Sequence, residues 1–475
     1  MIHERCGQIE RLWGLLVSPD GSNHSSIYQN IIFFGVRQFC YPHYANSMKI
    51  DLKSYWLAIL VLGCISLLAY TGLFEVPIFS SNSDQIFRLV FVLCGVWVCY
   101  LLALLVLSGE KNIGTISWLL ILGFAGLFRL QMVQLPALQS TDYLRYLFDG
   151  KLLLEGINPY SAPPLEFPQF GGNLIPKPWV ITIYPPLAEL LFLLANWLGG
   201  SLQAWRGVNL VADLGCILLL SQLLRKNKIP QKWLIAYLWS PLILKESINS
   251  AHLDIWTLFL VLLFVFFWQA RNNWGAMLSI CCAVLIKLVP VIFIIPWFIT
   301  VPGTKKRLLI ISVGVLILLL PFVPFLPHEP LGSLLIFFTH VEGYGLMFNM
   351  FQFIFSPETA RILLTATGGA CLFYLTVFRG NLWSSNPLRI FELGFILYLF
   401  SSMGFPWYLT VTVPLTVFFG VPFLTLFVML SHLTYYLAPL SLYWLIPLMG
   451  SGVVLIISIL VRKEFYSLKR IYESH

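Results

Sequence analysis

The sequence predicts an all-α protein, a polytopic transmembrane helical bundle of about twelve spans. Hydrophobic residues make up 58% of the 475 positions and charged residues only 11%, with a mean hydropathy of +0.82. Soluble domains are about half apolar and about a quarter charged, so this composition suits a lipid environment. Apolar segments of about 20 residues, the length that crosses a bilayer, recur between residues 55 and 460.

The distribution of charge indicates which loops lie inside the cell. Lys and Arg cluster in short loops, as is typical of cytoplasmic connections, so the net charge of +8 does not imply a nucleic-acid partner. The densest basic cluster, RKNKIPQK at 225–232, is therefore expected inside. The nine cysteines show no CxxC or Cys/His spacing, which argues against a structural metal site or a disulfide framework.

The first 47 residues differ from the rest of the chain. They are polar and aperiodic, and they lack the apolar core of a signal peptide. Met48 opens a segment, MKIDLKSYWLAILVL, that is typical of a cytoplasmic start leading into a first span. We therefore expect residues 1–47 to be a disordered extension or a mis-assigned start, and residues 48–475 to form one polytopic membrane domain.

Three spans, at 55–73, 86–107 and 114–135, lead to the first large outer loop at about 136–203. This loop is rich in Pro, Gly, Tyr and charge, and it contains the short apolar segment YPPLAELLFLLANWLGG. A full span there would move the basic cluster at 225–232 outside. We therefore expect short interfacial or re-entrant helices in this extracytoplasmic loop.

The later segments bring the expected count to about twelve crossings. A segment that follows Arg271 is interrupted by Lys287 and Pro290, which predicts two half-helices. The remaining spans are expected at 204–224, 232–250, 252–270, 306–325, 359–378, 387–404, 405–420, 421–437 and 440–460. This arrangement places four polar clusters on the outer side, at 142–150, 245–254, 327–345 and 405–409. Any chemistry is therefore expected at the outer membrane interface.

The outer loop contains the densest cluster of charge. Asp142, Arg145 and Asp149 are spaced at i, i+3 and i+7, so they share one face of a helix, with Tyr143 and Tyr146 beside them. The alternative is a solvated helix with an internal Asp–Arg pair. Charge combined with aromatic rings that can stack on a sugar favours a binding site.

The segment KESINSAHLDIW places Lys245, Glu246, His252 and Asp254 at the junction of two predicted spans. Ionisable residues at membrane depth are costly, so they indicate function, although a polar hairpin with a Lys–Glu pair is the simpler alternative. A single histidine does not support a zinc site.

Four further features lie within or beside the apolar segments. Lys287, among Leu, Val and Ile, is either the counter-charge of a lipid phosphate or part of a structural ion pair. Arg129 is expected to extend its side chain toward the interface, and Glu189 to bond within its own short helix. The aromatic residues of FPWYL, at 405–409, are expected to be interfacial belt residues.

Five segments, in the same order over residues 50–460, resemble bacterial glycosyltransferases of the GT-C superfamily, and particularly the polyprenyl-phosphate-mannose-dependent α-mannosyltransferases. They are DYLRYLFDGKLLLEGINPY, YPPLAELLF, SPLILKESINSAHLD, LIKLVPVIFIIP and FPWYLTVTVPL. The Gly-His-x-Asp pattern of these relatives is here Ala251-His252-Leu253-Asp254, without its glycine. No second acid follows Asp142 before Asp149, so no metal or other cofactor is expected.

The resemblance implies a GT-C-like fold and a catalytic aspartate in the first outer loop, which matches Asp142. It also implies a polyprenyl-monophosphate sugar donor and a glycan or glycolipid acceptor, at the outer face of the bacterial plasma membrane. Asp142 would be the base of an inverting transfer, Arg145 and Lys287 would stabilise the departing phosphate, and the tyrosines would stack on sugar. The candidate donor- and substrate-binding residues are Arg145, Lys287, Lys245, Asp149, Glu246, His252, Asp254, Tyr143, Tyr146, Tyr160 and Tyr184.

Two other functions remain open at this point. A transporter or lipid-linked-sugar flippase would have broken helices in matched halves, whereas the only broken segment predicted here is the one near Lys287. A polysaccharide polymerase or ligase usually carries its catalytic loop late in the chain, whereas this large loop follows the third span. The residues themselves do not distinguish mannose from other sugars.

Overall fold

A computed structural model describes residues 55–73, 83–109, 113–326 and 345–434, with a few isolated positions between 328 and 450. These ranges are helical and contain no β-strand, which confirms the all-α prediction. The α-helices are α1 (Tyr55–Thr71), α2 (Ser83–Ser108), α3 (Thr115–Gln134), α4 (Asp142–Leu154), α5 (Pro186–Trp197), α6 (Leu202–Lys226), α7 (Ile235–Leu238), α8 (Asp254–Gln269), α9 (Asn273–Ile286), α10 (Ile294–Phe298), α11 (Thr304–Leu319), α12 (Leu346–Gln352), α13 (Pro357–Phe378), α14 (Asn381–Ser384), α15 (Phe391–Leu399), α16 (Val413–Phe419) and α17 (Pro422–Thr434). The expected extension at 1–47, the last span at 440–460 and most of the outer cluster at 327–345 lie outside the described residues.

Five helices in the described ranges are long and apolar enough to cross a membrane. They are Gln85–Ser108, Thr115–Gln134, Leu202–Lys226, Thr304–Phe325 and Pro357–Phe378. A sixth results if a bent pair, Ile243–Asn249 and Asp254–Gln269, is counted as one broken span. The described residues therefore contain candidate membrane-spanning helices, but the expected count of about twelve is not confirmed.

The segment expected to be a single span at 232–250 is instead divided into short pieces. A 3₁₀ turn at Gln231–Leu234 leads into α7, and a π-helix follows at Ile243–Asn249. The axis then turns by 111° into α8, and Ala251 within the turn has a left-handed φ of 57°. The expected polar hairpin between two spans is thus a sharp bend, and its residues from Lys245 to His252 are buried.

The outer loop contains the two short helices that its sequence predicts. Helix α4 covers 142–154, and α5 covers 186–197, which is too short to cross a bilayer. The two helices pack closely at Gly150, where a Cβ would lie 2.2 Å from the carbonyl oxygen of Phe192. Three 3₁₀ turns lie between them, at Pro164–Glu166, Pro168–Phe170 and Gly172–Leu174. The loop is therefore a folded unit.

The predicted break at Lys287 is confirmed. Helix α9 ends at Ile286, Lys287 is extended with φ −153° and ψ 134°, and a 3₁₀ turn follows at Val289–Phe293. Pro290 lies at the start of that turn, where proline is tolerated because the first amides of a helix have no intrahelical acceptor. The amide of Lys287 still donates to the carbonyl oxygen of Ala283 at 3.0 Å, so Lys287 is the residue at which α9 ends.

Arg129 does not extend toward the interface, contrary to expectation. Its Nε lies 2.6 Å from Oδ2 of Asp213 in α6, and its Nη1 donates to the carbonyl oxygen of Leu238 at 2.9 Å. The hydroxyl of Tyr237 donates to the same carboxylate at 2.8 Å. A buried ion pair thus satisfies the guanidinium, and its partner lies 84 residues away in the sequence.

A second buried arginine joins the start of the outer loop to the bend. Arg206 of α6 donates to the carbonyl oxygens of Val133 and Leu135, which end α3, and through Nε to that of Asn249 at 2.8 Å. The Asn249 side chain in turn accepts from the amide of Leu138 at 2.9 Å and donates to Pro136 at 2.8 Å. These bonds fix where the outer loop leaves the bundle.

Candidate active site

Asp142 lies in the first turn of α4, beside the bend. Its Oδ2 is 3.5 Å from Nδ1 of His252. Its side chain is 42% exposed, although the residues beneath it are buried. An ionised carboxylate at a helix N-terminus is stabilised by the helix dipole. The position thus combines access to a substrate with contact to a buried basic group.

Arg145 and Asp149 share a face of α4, as their spacing predicts. The Nε of Arg145 lies 2.7 Å from Oδ2 of Asp149, and Nη1 donates to the carbonyl oxygen of Val180 at 2.7 Å. The buried Nη2 has no hydrogen-bond acceptor among the described residues. Burial raises the pKa of Asp149, although Arg145 opposes that shift. Asp149, and not Asp142, is therefore the ion-pair partner of this arginine.

Glu189 bonds outside its own helix, contrary to expectation. Its Oε1 accepts a hydrogen bond from Oγ1 of Thr182 at 2.7 Å, and its buried Oε2 has no hydrogen-bond partner within the described part of the chain. Burial raises the pKa of Glu189 well above its usual value, and the neighbouring carboxylate of Asp149 adds to the shift. Its burial and the nearby carboxylate therefore favour the neutral form of the Glu189 carboxyl group.

Lys245 and Glu246 form an ion pair in the π-helix. The Nζ of Lys245 lies 3.0 and 3.1 Å from the two carboxylate oxygens, and both side chains are buried. Oε2 of Glu246 also lies 3.4 Å from Nε2 of His252. Burial favours Lys245 as a counter-charge of Glu246 over direct contact with a donor phosphate.

His252 lies between two carboxylates and on an aromatic stack. Its nitrogens face Asp142 and Glu246, at distances typical of ion pairs and longer than short hydrogen bonds. Its ring stacks on Trp407 with centroids 4.0 Å apart, and Phe405 stacks on the other side of Trp407 at 4.5 Å. Trp407 is buried, so its expected role as a belt residue is wrong.

Asp254 and Lys287 form a partly exposed ion pair. Nζ of Lys287 lies 2.6 Å from Oδ1 of Asp254, the first residue of α8, and 4.1 Å from the ring centroid of Tyr408. The side chain of Lys287 is 23% exposed. The pairing expected for a structural role is present, and part of the lysine is also accessible to an anion.

The four candidate tyrosines separate into two groups. Tyr146 is buried against Phe192, with stacked centroids 4.8 Å apart, and Tyr160 is buried with its hydroxyl donating to the carbonyl oxygen of Tyr184 at 2.5 Å. Tyr143 and Tyr184 are partly exposed. Only the second pair therefore offers ring surface to a sugar without rearrangement.

His432 also belongs to this site, although no sequence pattern indicates it. Its Nε2 lies 3.1 Å from Oε1 of Glu246, and its Nδ1 accepts a hydrogen bond from Nε1 of Trp97 at 3.2 Å. His432 is one histidine in the apolar helix α17, and no local spacing connects it to the bend. Thr182 and Val180, which contact Glu189 and Arg145, were also missed, because no local spacing connects them to those residues.

The described residues contain no group of three or more His, Cys, Asp or Glu side chains arranged to hold a metal ion. The carboxylates of Asp142, Asp149 and Asp254 are instead paired with His252, Arg145 and Lys287, respectively. Independence from a metal remains a prediction for an activity assay.

Comparison with known proteins identifies one family. A family model described as "Alpha-(1->6)-mannopyranosyltransferase, N-terminal domain" matches residues 59–302, which is more than half of the chain. No curated protein and no solved structure gives a significant match. The matched segment contains Asp142 and Lys287, whereas Trp407 and His432 lie beyond it. The resemblance seen in the sequence is thereby confirmed: the chain belongs to the alpha-(1->6)-mannopyranosyltransferase family.

Proposed function

We propose that the protein transfers a mannosyl group, with inversion, from a polyprenyl-monophosphate donor to a hydroxyl of a glycan or glycolipid acceptor. The reaction takes place on the extracytoplasmic face of the bacterial plasma membrane. Family membership supports mannosyl transfer, and the long apolar helices support a location beside a lipid donor. Family membership favours glycosyl transfer over the transporter and polymerase alternatives.

The exposure of Asp142 is the observation that carries this proposal. Its side chain is 42% exposed, whereas the values are 12% for Asp254, 1% for Asp149 and 0% for Glu246. Of these acids, Asp142 is the one that an acceptor hydroxyl can reach. A general base must come within hydrogen-bond distance of the proton that it removes.

The proposed step requires one base and no acid. The acceptor oxygen bonds to the anomeric carbon as the bond from that carbon to the phosphate oxygen breaks on the opposite face. The acceptor proton passes to Asp142, and the polyprenyl phosphate leaves with the electron pair. Phosphate is a good leaving group, so only the base half of an inverting glycosidase mechanism is needed.

Two cations are suited to the phosphate and the sugar. Lys287 is partly exposed and forms an ion pair with Asp254, which follows His252 by two residues in the chain. Its charge would stabilise the negative charge that develops on the leaving phosphate. Arg145 has a buried Nη2 without an acceptor, which a substrate oxygen could satisfy. Tyr143 and Tyr184 would contact the sugar rings, whereas Lys245 stays with Glu246 in the core.

The test is an assay of membranes that contain the protein, with a panel of radiolabelled polyprenyl-phosphate sugars. We expect transfer from the mannosyl donor and a loss of at least about 10³-fold in Asp142→Asn, since the base is removed. Glu155→Gln is the matched control, because Glu155 is an exposed acid at the other end of α4. Transfer by Asp142→Asn at the normal rate would exclude this base, and transfer from no donor would refute the function.

A further inference from the structure

Contacts between side chains run in series from the exposed Asp142 into the core. Asp142 contacts Nδ1 of His252, whose Nε2 contacts Glu246. The other oxygen of Glu246 contacts Nε2 of His432, whose Nδ1 accepts from Trp97. The five residues come from α4, the bend, the π-helix, α17 and α2. The site therefore depends on two helices that carry none of the candidates found from the sequence.

The tryptophan determines the protonation of His432. An indole N–H is only a donor, so the Nδ1 that accepts it carries no proton. His432 is therefore neutral and bears its proton on Nε2, 3.1 Å from the Glu246 carboxylate. In this form it donates toward Glu246 and adds no charge.

The two carboxylates around His252 favour its cationic form. A neutral imidazole has one N–H, so one of its nitrogens would face a carboxylate oxygen with a lone pair. A proton on each nitrogen makes both contacts attractive. The charges then balance, with Lys245 and His252 positive and Glu246 and Asp142 negative. The face of Trp407, 4.0 Å away, also favours a cation.

We propose that His252 is held as an imidazolium between Glu246 and Asp142, orients the Asp142 carboxylate toward the acceptor, and depends on His432 to fix Glu246. His252 and His432 are thus positioning residues, and this role rests on the proposed function of Asp142 as the base. The arrangement makes the segment beyond the family match a part of the catalytic site.

Other ionisable groups around these residues are already partnered or uncharged. Lys287 is paired with Asp254, and Arg145 with Asp149. The phenols of Tyr146, Tyr184 and Tyr408 interact electrostatically with Asp142 and are neutral under assay conditions. Among the described side chains, His252 is the base in ion-pair contact with Asp142. Among these side chains, the charge of His252 should therefore have the largest effect on the position of the acidic limb of the pH–rate profile.

The experiment is the pH dependence of mannosyl transfer in His252→Gln, His432→Leu and His432→Gln. His252→Gln removes the cationic side chain in contact with Asp142, so the acidic limb of kcat should move to higher pH in this variant. His432→Leu should move the acidic limb in the same direction by a smaller amount. His432→Gln keeps an N–H donor, so its shift should be the smallest of the three. Thr412→Val is the control, because that buried hydroxyl donates only to the carbonyl of Leu409.

Each outcome decides between a positioning role and a structural one. A lower plateau rate with an unmoved acidic limb in His252→Gln, or no change in either His252→Gln or His432→Leu, would overturn the proposal. If His252→Gln does not fold, the comparison between the two His432 variants gives the same decision. Asp142→Asn is measured in parallel, and normal activity there would refute the base itself instead of its positioning.

Discussion

Replacing Lys287 with methionine tests whether this cation acts on the donor phosphate or only on its partner Asp254. Methionine keeps the length and apolar character of the side chain and removes its charge. Lys287 is 23% exposed, and its Nζ lies 2.6 Å from Asp254. Both roles are therefore compatible with its position, and they predict different kinetics.

The magnitude follows from the surroundings of the lysine. Removing one preorganised electrostatic stabiliser typically lowers kcat by about 10²–10³-fold. The charge of Lys287 is already shared with Asp254, so we expect the lower end, about 10²-fold, or about 2.7 kcal/mol of transition-state stabilisation. The assay is mannosyl transfer at saturating donor, with the melting temperature of the purified protein measured alongside.

A double variant separates the two roles. If Lys287 serves only Asp254, adding Lys287→Met to Asp254→Asn should cost no further activity. If it stabilises the phosphate, the second substitution should again lower kcat by about 10²-fold. Arg389→Met is the matched control, because Arg389 and Glu392 form an ion pair at 2.8 Å with side chains 20% and 14% exposed. Equal kcat in Asp254→Asn and the double variant would refute the phosphate role.

Two further outcomes are expected. Because the pKa of Glu189 is raised in the folded state, its contribution to stability is present at low pH and is lost as the pH rises above the usual carboxyl value; Glu189→Gln should therefore raise the melting temperature at neutral pH and weaken its pH dependence. An unchanged melting temperature at neutral pH would show that the carboxyl is not held neutral. Transfer should persist in excess EDTA, and a loss that Mn²⁺ or Mg²⁺ restores would contradict a mechanism based on Asp142 and cationic side chains alone.

The local features of the fold could be predicted from the sequence because they follow from short-range rules. Helical spacing placed Arg145 and Asp149 on one face, and the length of the apolar segment predicted a short α5. The Lys-Leu-Val-Pro sequence predicted the break at Lys287. Each of these inferences depends on neighbouring residues along one element.

The pairings between elements could not be predicted in this way. Arg129 and Asp213 are 84 residues apart, and His432 lies in an apolar helix far from Glu246. In both cases the partner is set by how helices pack, and nothing in the flanking residues specifies it. The π-helix was missed because nothing in its sequence, Ile-Leu-Lys-Glu-Ser-Ile-Asn, distinguishes a π-helix from the polar end of an α-helical span.

The hydrogen bonds of Arg206 and Asn249 bear on the entropy cost of each catalytic cycle. They join the end of α3, the start of the outer loop and the bend into one hydrogen-bonded unit. The conformational entropy of placing Asp142 beside His252 is thus lost once, when the chain folds, and not again in each catalytic cycle.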